Sequence, residues 1–447
     1  MGRNRFVHVA VGRRILGASA GLALATGLWS AGASAATTTI VWGSADIPAA
    51  AAGKGTPAGW WDQVVQQFET EHPDIVVQPI HEDWNKIAVQ TAAGSAPDVI
   101  DGCCSWFHEM GVAGQFLDLT PYIGTVLPDY QAHQDYWPLQ FGAFASAGKQ
   151  WGLPKYLGTM ALYYNRELFA NAGLTPPSAD LAQNHMDWNQ FEDVCKKLTT
   201  VDASGKTTQY GFAKVTFATD QFSDWFLAGG ASFYVDGDPG RSALDSPAAV
   251  DTLTFLQRLK YQDGCASNDW NAYNSGFNQG KVGMKESGNW SLGGLLDPKV
   301  NLDWALMPLP IGPSGKRATL ATIDGYAIPK TTKHVQAALQ FLDFLSSPYT
   351  STLLAKNGLQ PARREVVPQY LDLVKSQSPR AAGVNLHVFT DAGAYAYPQY
   401  LYTDQGQADK IMGAAFSAIF DKQAAVKGTW TKAIEQLNNV LAGATKK

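Results

Sequence analysis

The chain alternates between two hydrophobic periodicities, and each change of periodicity marks a predicted secondary-structure element. Residues 38–43 (TTIVWG) form a β-branched run that predicts a strand, and residues 75–80 and 98–101 predict two more. Between these strands, in residues 59–72 and 85–93, apolar side chains recur every three or four positions, which predicts helices. From residue 38 onward the pattern is therefore strand–helix–strand–helix–strand.

This order of elements predicts an α/β fold with a parallel sheet. In such sheets, ligands bind beyond the carboxyl ends of the strands. Each predicted strand is followed at that end by aromatic and polar residues, namely Trp42 with Asp46, Glu82 with Asp83, and Ser105 with Trp106. We expect these residues to lie at one edge of the sheet, where they would form part of a binding site.

The alternation continues through the rest of the chain. We predict strands at 161–164 and 282–284, and helices at 188–198, 249–260, 333–345 and 407–442. Neither a short internal repeat nor a disordered linker separates these elements. The sequence therefore predicts two α/β lobes without an independent tail.

The N-terminus has the features of a secretion signal. Four arginines precede an apolar run at residues 15–29, and Ala33-Ser34-Ala35 forms a small-residue cleavage pattern, which predicts a signal peptide at residues 1–35. Arg13-Arg14 matches a twin-arginine signal only in part, so the Sec and twin-arginine export routes both stay open. No cysteine lies near the cleavage pattern. We therefore expect a mature protein that is soluble outside the cytoplasm, without an N-terminal lipid anchor.

Composition and charge exclude some classes of partner. The chain is 45% apolar and 16% charged, which is typical of a folded globular protein. The signal peptide carries four basic residues and no acidic one, so its removal changes the net charge from −5 to −9. A nucleic-acid partner is disfavoured by this charge.

The usual catalytic and cofactor motifs are absent from the sequence. The pairs His81-Glu82 and His108-Glu109 both lack the second histidine of a zinc-protease motif, and neither a phosphate-binding P-loop nor a dinucleotide-binding glycine motif is present. We therefore predict no catalytic residue, metal or cofactor. A pair of glycosidase carboxylates cannot be chosen from 39 acidic residues without geometry, and an enzyme stays open as an alternative.

Four cysteines, Cys103, Cys104, Cys195 and Cys265, can pair in three ways outside the cytoplasm. We expect at most one long-range disulfide, for which Cys195–Cys265 is our choice. A vicinal Cys103–Cys104 bond would be strained and stays open.

Several segments follow one another in an order that is characteristic of a known family. They include IVWGSAD, AGSAPDVID, WGLPKYLGTMALYYNRELFANAGL, DWNQFEDVCKKLT, FNQGKVGMKESGNW, TIDGYAIPKTTK and NGLQPARREV. Together they resemble the extracellular solute-binding proteins of ABC sugar importers, the family of maltose-binding protein (solute-binding family 1). Their order is fairly specific for the family but does not identify a sugar.

The resemblance implies two α/β lobes, joined by hinge strands, that close around a ligand in the cleft between them. Residues 151–165 (WGLPKYLGTMALYYN) would form the first crossing between the lobes. The implied boundaries are a signal peptide at 1–35, an N-terminal lobe at 36–157 and 283–327, and a C-terminal lobe at 158–282 and 328–447.

The resemblance also implies which residues contact the ligand. Aromatic rings stack on sugar faces, and carboxylate, amide and guanidinium groups bond to the hydroxyls. The predicted ligand-binding residues are Trp42, Asp46, Glu82, Asp83, Ser105, Trp106, Tyr156, Gly158, Phe222, Trp225, Trp290, Asp324, Gly325, Tyr326 and Arg363.

The implied function is that of a monomeric transport receptor, free in the periplasm, which captures a carbohydrate and delivers it to the permease subunits of an ABC transporter. Two alternatives stay open. One is a binding protein for a non-sugar solute such as a polyol, glycerol phosphate or an iron complex, and the other is a secreted carbohydrate-active enzyme. Acidic strand ends disfavour a phosphate ligand.

Overall fold

The computed structural model describes residues 37–48, 59–213, 219–297, 299–322, 324–378 and 381–444. The predicted signal peptide at residues 1–35 lies outside the described residues. In the described ranges, no helix is both long enough and apolar enough to cross a membrane.

The elements alternate along the chain. The strands are β1 (Thr38–Ser44), β2 (Ile75–His81), β3 (Val99–Cys103), β4 (Ala145–Ser146), β5 (Lys149–Gln150), β6 (Leu153–Tyr156), β7 (Met160–Asn165), β8 (Thr200–Val201), β9 (Thr207–Ala213), β10 (Tyr234–Val235), β11 (Asp238–Ser242), β12 (Ala266–Ser267), β13 (Val282–Gly288), β14 (Trp304–Met307), β15 (Thr319–Ala321), β16 (Asp324–Ala327) and β17 (Ala396–Pro398). The α-helices are α1 (Trp60–Glu71), α2 (Trp84–Ala93), α3 (Cys104–Val112), α4 (Pro138–Gly142), α5 (Arg166–Asn171), α6 (Trp188–Leu198), α7 (Thr219–Gly229), α8 (Pro247–Tyr261), α9 (Leu292–Leu296), α10 (Val335–Leu345), α11 (Pro348–Lys356), α12 (Tyr370–Gln377), α13 (His387–Asp391), α14 (Gln405–Asp421) and α15 (Val426–Ala444).

The first sheet, sheet I, has the strand order β2-β1-β3-β16-β6. Strand β1 runs parallel to β2 and β3, as the sequence predicted, while β16 runs antiparallel to β3 and β6. Helices cover the sheet because their apolar stripes need burial. On one side the Trp42 ring packs edge-on against Trp60 of α1 and Phe341 of α10, with centroids 5.8 and 5.4 Å apart.

The second sheet, sheet II, has the order β12-β9-β13-β7-β14, with β8 paired to β9. Strand β7 is antiparallel to both β13 and β14 and is buried throughout. Successive side chains of a strand point to opposite faces. Met160 and Leu162 accordingly belong to one apolar core, and Ala161 and Tyr163 to another. The predicted α/β fold is confirmed.

The chain crosses between the two sheets at three neighbouring places, after β6, before β16 and after α11. The amide of Leu157 donates to the carbonyl of Gln360, and the amide of Thr322 donates to the carbonyl of Gly158, both at 2.9 Å. These backbone bonds hold the crossings side by side.

Sheet membership corrects two of the lobe boundaries that we predicted. Residues 283–327 were expected in the N-terminal lobe, but β13 and β14 belong to sheet II, and only β16 joins sheet I. Residues 328–447 were expected in the C-terminal lobe, but α10 packs on sheet I, where Phe341 contacts Trp42. The apolar stripe of a helix predicts burial, not which of two sheets the helix covers.

Two disulfides are present. Cys195–Cys265 joins α6 to the loop before β12, so the expected long-range pair is confirmed. Cys103 and Cys104 form a vicinal bond where β3 passes into α3.

Candidate functional site

The ends of β1 and β2 meet at the carboxyl edge of sheet I. The hydroxyl of Ser44 donates to the Asp101 carboxylate at 2.9 Å, and the amide of Glu82 donates to the Ser44 carbonyl at 3.1 Å. The convergence of strand ends that the sequence predicted is therefore seen here. Burial raises the pKa of Glu82.

Lys155, on the strand that leads to the first crossing, pairs with two of the acids of this edge. Its buried ammonium group donates to the carboxylate of Asp46 at 2.6 Å and also to that of Asp101. Burial alone would lower the pKa of Lys155, but these two carboxylates hold it well above its usual range. Asp46 and Asp101 are thus engaged within the protein.

Tyr156 and Asp324 stand opposite each other on β6 and β16. The tyrosine hydroxyl donates to the carboxyl group, and burial raises the pKa of Asp324 to about 7. This pair lies between two of the crossings, since Leu157 follows Tyr156 and Thr322 precedes Asp324 by two positions.

Helix α3 joins the two halves of the molecule. The hydroxyl of Ser105 donates to the Asp409 carboxylate of α14 at 3.2 Å. Beside it the Trp106 ring lies 5.9 Å from that of Trp84, and both are partly buried. Ser105 and Trp106, predicted from sequence, therefore lie where the sheet I helices meet those of sheet II.

A cavity of about 430 Å³ lies at the crossings. The sheet I side supplies Trp137, Gln140 and Phe144, and the crossings supply Leu157, Thr322 and Gln360. The opposite wall comes from residues 390–398, which include β17, paired with β15 on the sheet II side. Ligand pockets commonly have this size and position between structural units.

The described residues that line this cavity are mostly apolar. None of them is charged, and a few contribute amide or hydroxyl groups. Gln140 and Gln360 are only 7% and 5% exposed, and both side-chain polar atoms of Gln140 and the Oε1 of Gln360 lack a partner among the described residues. Buried polar atoms without partners are costly, so these two amides of the lining have unmet hydrogen-bonding capacity. The described residues contain no cluster that could hold a metal ion.

Gly158 and Trp290 lie next to the cavity. A Cβ atom at Gly158 would come within 2.1 Å of the Thr322 hydroxyl and 3.0 Å of the Trp290 ring. The glycine therefore lets the Thr322 crossing and the Trp290 ring approach closely, which agrees with a position at the hinge. Gly325 lies behind Phe144, which lines the cavity, since a Cβ atom at Gly325 would come within 2.1 Å of the Phe144 ring.

Several predicted ligand contacts lie in the apolar cores. Trp42 and Tyr326 are fully buried in sheet I, and Phe222 and Trp225 are buried in the sheet II core. Their aromatic faces are used for packing because the strands and helices that carry them turn those positions inward.

Two predicted charged contacts are engaged away from the cavity lining. Asp83 forms an exposed ion pair with Lys86 at 3.4 Å. Arg363 pairs with Asp135 at 3.3 Å and with Glu365 at 3.0 Å.

Four residues that line the cavity were not predicted from the sequence, namely Trp137, Gln140, Phe144 and Gln360. Gln360 lies three residues before Arg363 in the quoted segment NGLQPARREV. Gln140 lies in the short helix α4 and Trp137 directly precedes it, and five helical residues are too few to show a periodicity.

Comparisons with known proteins agree on one family for this chain. A model of bacterial extracellular solute-binding proteins matches residues 52–349. The maltodextrin-binding protein of Bacillus subtilis (strain 168) is 24% identical over 301 residues, which cover 64% of this chain and 66% of that protein. The arabinooligosaccharide-binding protein of the same strain is 23% identical over 402 residues, which cover 84% of this chain and 87% of that protein.

Solved structures share the fold. An ABC substrate-binding protein of Listeria monocytogenes in complex with cycloalternan is similar with a TM-score of 0.77 at 21% identity, covering 91% of this chain and 99% of that chain. The Mycobacterium tuberculosis protein UgpB in complex with glycerophosphocholine is similar with a TM-score of 0.74 at 20% identity, covering 92% and 100%. The two-lobed architecture predicted from the sequence is confirmed.

Proposed function

Because the chain belongs to the bacterial extracellular solute-binding protein family, we propose that it is the substrate-binding component of an ABC importer for a neutral carbohydrate. It captures the sugar in the cavity at the crossings and delivers it to a membrane permease. The protein acts as a monomer outside the cytoplasm, without a cofactor and without a nucleic-acid partner.

The observation that carries this proposal is the chemistry of the cavity. Its described lining residues include the partly exposed Trp137 for the apolar face of a sugar ring, and Gln140 and Gln360 for the hydroxyls. A sugar offers both donors and acceptors, and an amide side chain can satisfy both. The maltodextrin- and arabinooligosaccharide-binding relatives support a short oligosaccharide as the ligand.

The same chemistry argues against the phosphate alternative. A phosphate or phosphodiester needs a cation or several backbone amides, and the described residues that line the cavity include no lysine or arginine. The nearby Lys155 is already bonded to Asp46 and Asp101. Glycerophosphocholine, the ligand of the M. tuberculosis protein, is therefore a poor match for this cavity.

A glycosidase is disfavoured for a related reason. Such an enzyme needs two carboxyl groups that flank the scissile bond. The described lining residues of the cavity include no aspartate or glutamate, and Asp46 and Asp101 at the carboxyl edge of sheet I are bonded to Lys155. Binding without turnover is the chemistry that this arrangement supports.

Calorimetric titration of the mature protein tests the proposal. The ligands are maltotriose, arabinotriose, glycerol and glycerol 3-phosphate, and each mixture is then analysed by chromatography. We expect one neutral oligosaccharide to bind and to be recovered intact. Recovery of cleaved sugar would establish an enzyme, and tight binding of glycerol 3-phosphate alone would establish the non-sugar alternative.

A further inference from the structure

A second cavity, of about 550 Å³, lies at the β12 edge of sheet II and is separate from the cavity at the crossings. We call it the Trp270 groove. Its aromatic walls are Tyr210, Tyr261 and Trp270, and its polar side chains include Lys260, Asn268 and Asp421. It shares no lining residue with the cavity at the crossings.

Trp270 is an exposed aromatic platform. Its side chain is 55% exposed, whereas most tryptophans of the described chain are buried. The Asp269 carboxylate accepts hydrogen bonds from the amides of Asn271 and Ala272 at 2.8 and 3.0 Å, which fixes the turn that carries the ring. An indole held at the surface in this way keeps a large apolar area in contact with water.

A second ring supports the platform. Trp270 stacks on Tyr273 with centroids 5.7 Å apart and planes at 27°. The buried Tyr273 hydroxyl donates to Ser287 of β13 at 2.6 Å, so the supporting ring is anchored in sheet II. Binding to a platform that is already fixed costs little side-chain entropy.

The polar side of the groove is also fixed. The Asn268 amide donates to Asp421 of α14 at 2.8 Å and accepts from the Lys260 ammonium group at 2.5 Å. The Tyr261 hydroxyl donates to the Phe420 carbonyl, also at 2.5 Å. Donors and acceptors therefore stand beside aromatic faces without net positive charge, since Asp269 and Asp421 outweigh Lys260.

We propose that the Trp270 groove is a second binding site, which holds a sugar ring of a long neutral glycan chain outside the transport cleft. An exposed indole recognises the C–H face of a pyranose or furanose ring, and the Lys260–Asn268–Asp421 network recognises its hydroxyls. The groove is open at the surface, so it can accept a ring in the middle of a chain. Its excess of acid disfavours anionic polymers.

The mobility of the mature protein in native gels that contain soluble starch, arabinan or galactomannan tests this proposal. We expect at least one polymer to retard the unmodified protein. Trp270→Ala should weaken that retardation by about 2- to 12-fold in apparent affinity, as expected for a lost aromatic contact. Trp270→Phe should keep most of it. Tyr349→Ala, which removes a 40%-exposed ring elsewhere, is the matched control and should change nothing.

The variant Gln360→Ala distinguishes polymer binding in the Trp270 groove from binding in the transport cleft. Retardation that is unchanged in Gln360→Ala but weakened in Trp270→Ala supports the groove as an independent site. Retardation that is weakened in Gln360→Ala, or unchanged in Trp270→Ala, overturns the proposal, as does migration of the unmodified protein that none of the three polymers affects. Melting curves establish folding of each variant, and Tyr261→Ala replaces Trp270→Ala if that variant does not fold. The oligosaccharide titrations described above report on the cleft separately, so failure of either proposal is recognisable.

Discussion

The ammonium group of Lys155 lies 2.6 Å from the carboxylate of Asp46, which ties the strand before the first crossing to the end of β1. The same group also binds the fully buried Asp101. One lysine therefore compensates two carboxylates at the edge of sheet I, and the fold depends on it for more than one contact.

We expect Lys155→Met to destabilise the protein by about 3–5 kcal/mol, because it leaves Asp101 charged and buried without its partner. Urea unfolding measures this change. Lys86→Met is the control, since Lys86 forms an exposed pair with Asp83 and its loss should cost at most about 1 kcal/mol. Equal effects of the two substitutions would contradict a structural role for the Lys155 pairs.

Removal of a cavity amide should weaken sugar binding. Gln360→Ala or Gln140→Ala deletes one hydrogen-bonding group of the cavity and leaves a sugar hydroxyl without its partner. The binding free energy should then weaken by about 1–3 kcal/mol, which is roughly 5- to 150-fold in affinity. Titration with the sugar that binds the unmodified protein measures the loss. Gln66→Ala on the exposed side of α1 should bind normally. Unchanged affinity in both cavity variants would place the ligand elsewhere.

Asp324 should make stability depend on pH. Its pKa is about 7 in the folded protein and about 4 in an unfolded chain. Between these values only the folded state keeps the proton, so stability should fall by about 1.4 kcal/mol for each unit of rising pH. Asp324→Asn should match the unmodified protein near pH 4 and exceed it at pH 8.

Urea unfolding at several pH values tests this, with Asp251→Asn on the exposed side of α8 as the control. Glu82 and Glu109 also have raised pKa values, but they are present in every variant, so the difference between curves isolates Asp324. Parallel curves for Asp324→Asn and the unmodified protein would show that this carboxyl is ionised throughout.

The Cys195–Cys265 bond should contribute substantially to stability. It closes a loop with a sequence separation of 70, for which the chain-entropy model gives about 4 kcal/mol. Replacement of both cysteines by alanine should lower the free energy of unfolding by that amount. The vicinal bond between Cys103 and Cys104 closes no long loop, so replacement of this pair by alanine should lower the free energy of unfolding much less. A larger loss from the vicinal pair would be contrary to the model.

Sequence patterns predicted the strands and helices well, because burial imposes a period on every element that packs. The parallel order of β1, β2 and β3, predicted from the sequence, brings the carboxyl ends of these strands to one sheet edge. The patterns could not tell which aromatic residues face the cavity. Trp42, which was predicted as a ligand contact, is fully buried, whereas Trp137, which was not, is 42% exposed at the cavity. That difference depends on the packing of α10 and on the crossings, which are long-range contacts.

The residues that line the cavity at the crossings are spread widely along the chain, which determines how late in synthesis the cavity forms. Its lining residues extend from Trp137 to Pro398, through both sheets and all the crossings between them. A growing polypeptide therefore cannot complete this cavity before β17 has been synthesised. The proposed capture of solute there requires synthesis and folding at least as far as Pro398, so truncation before that residue should abolish it.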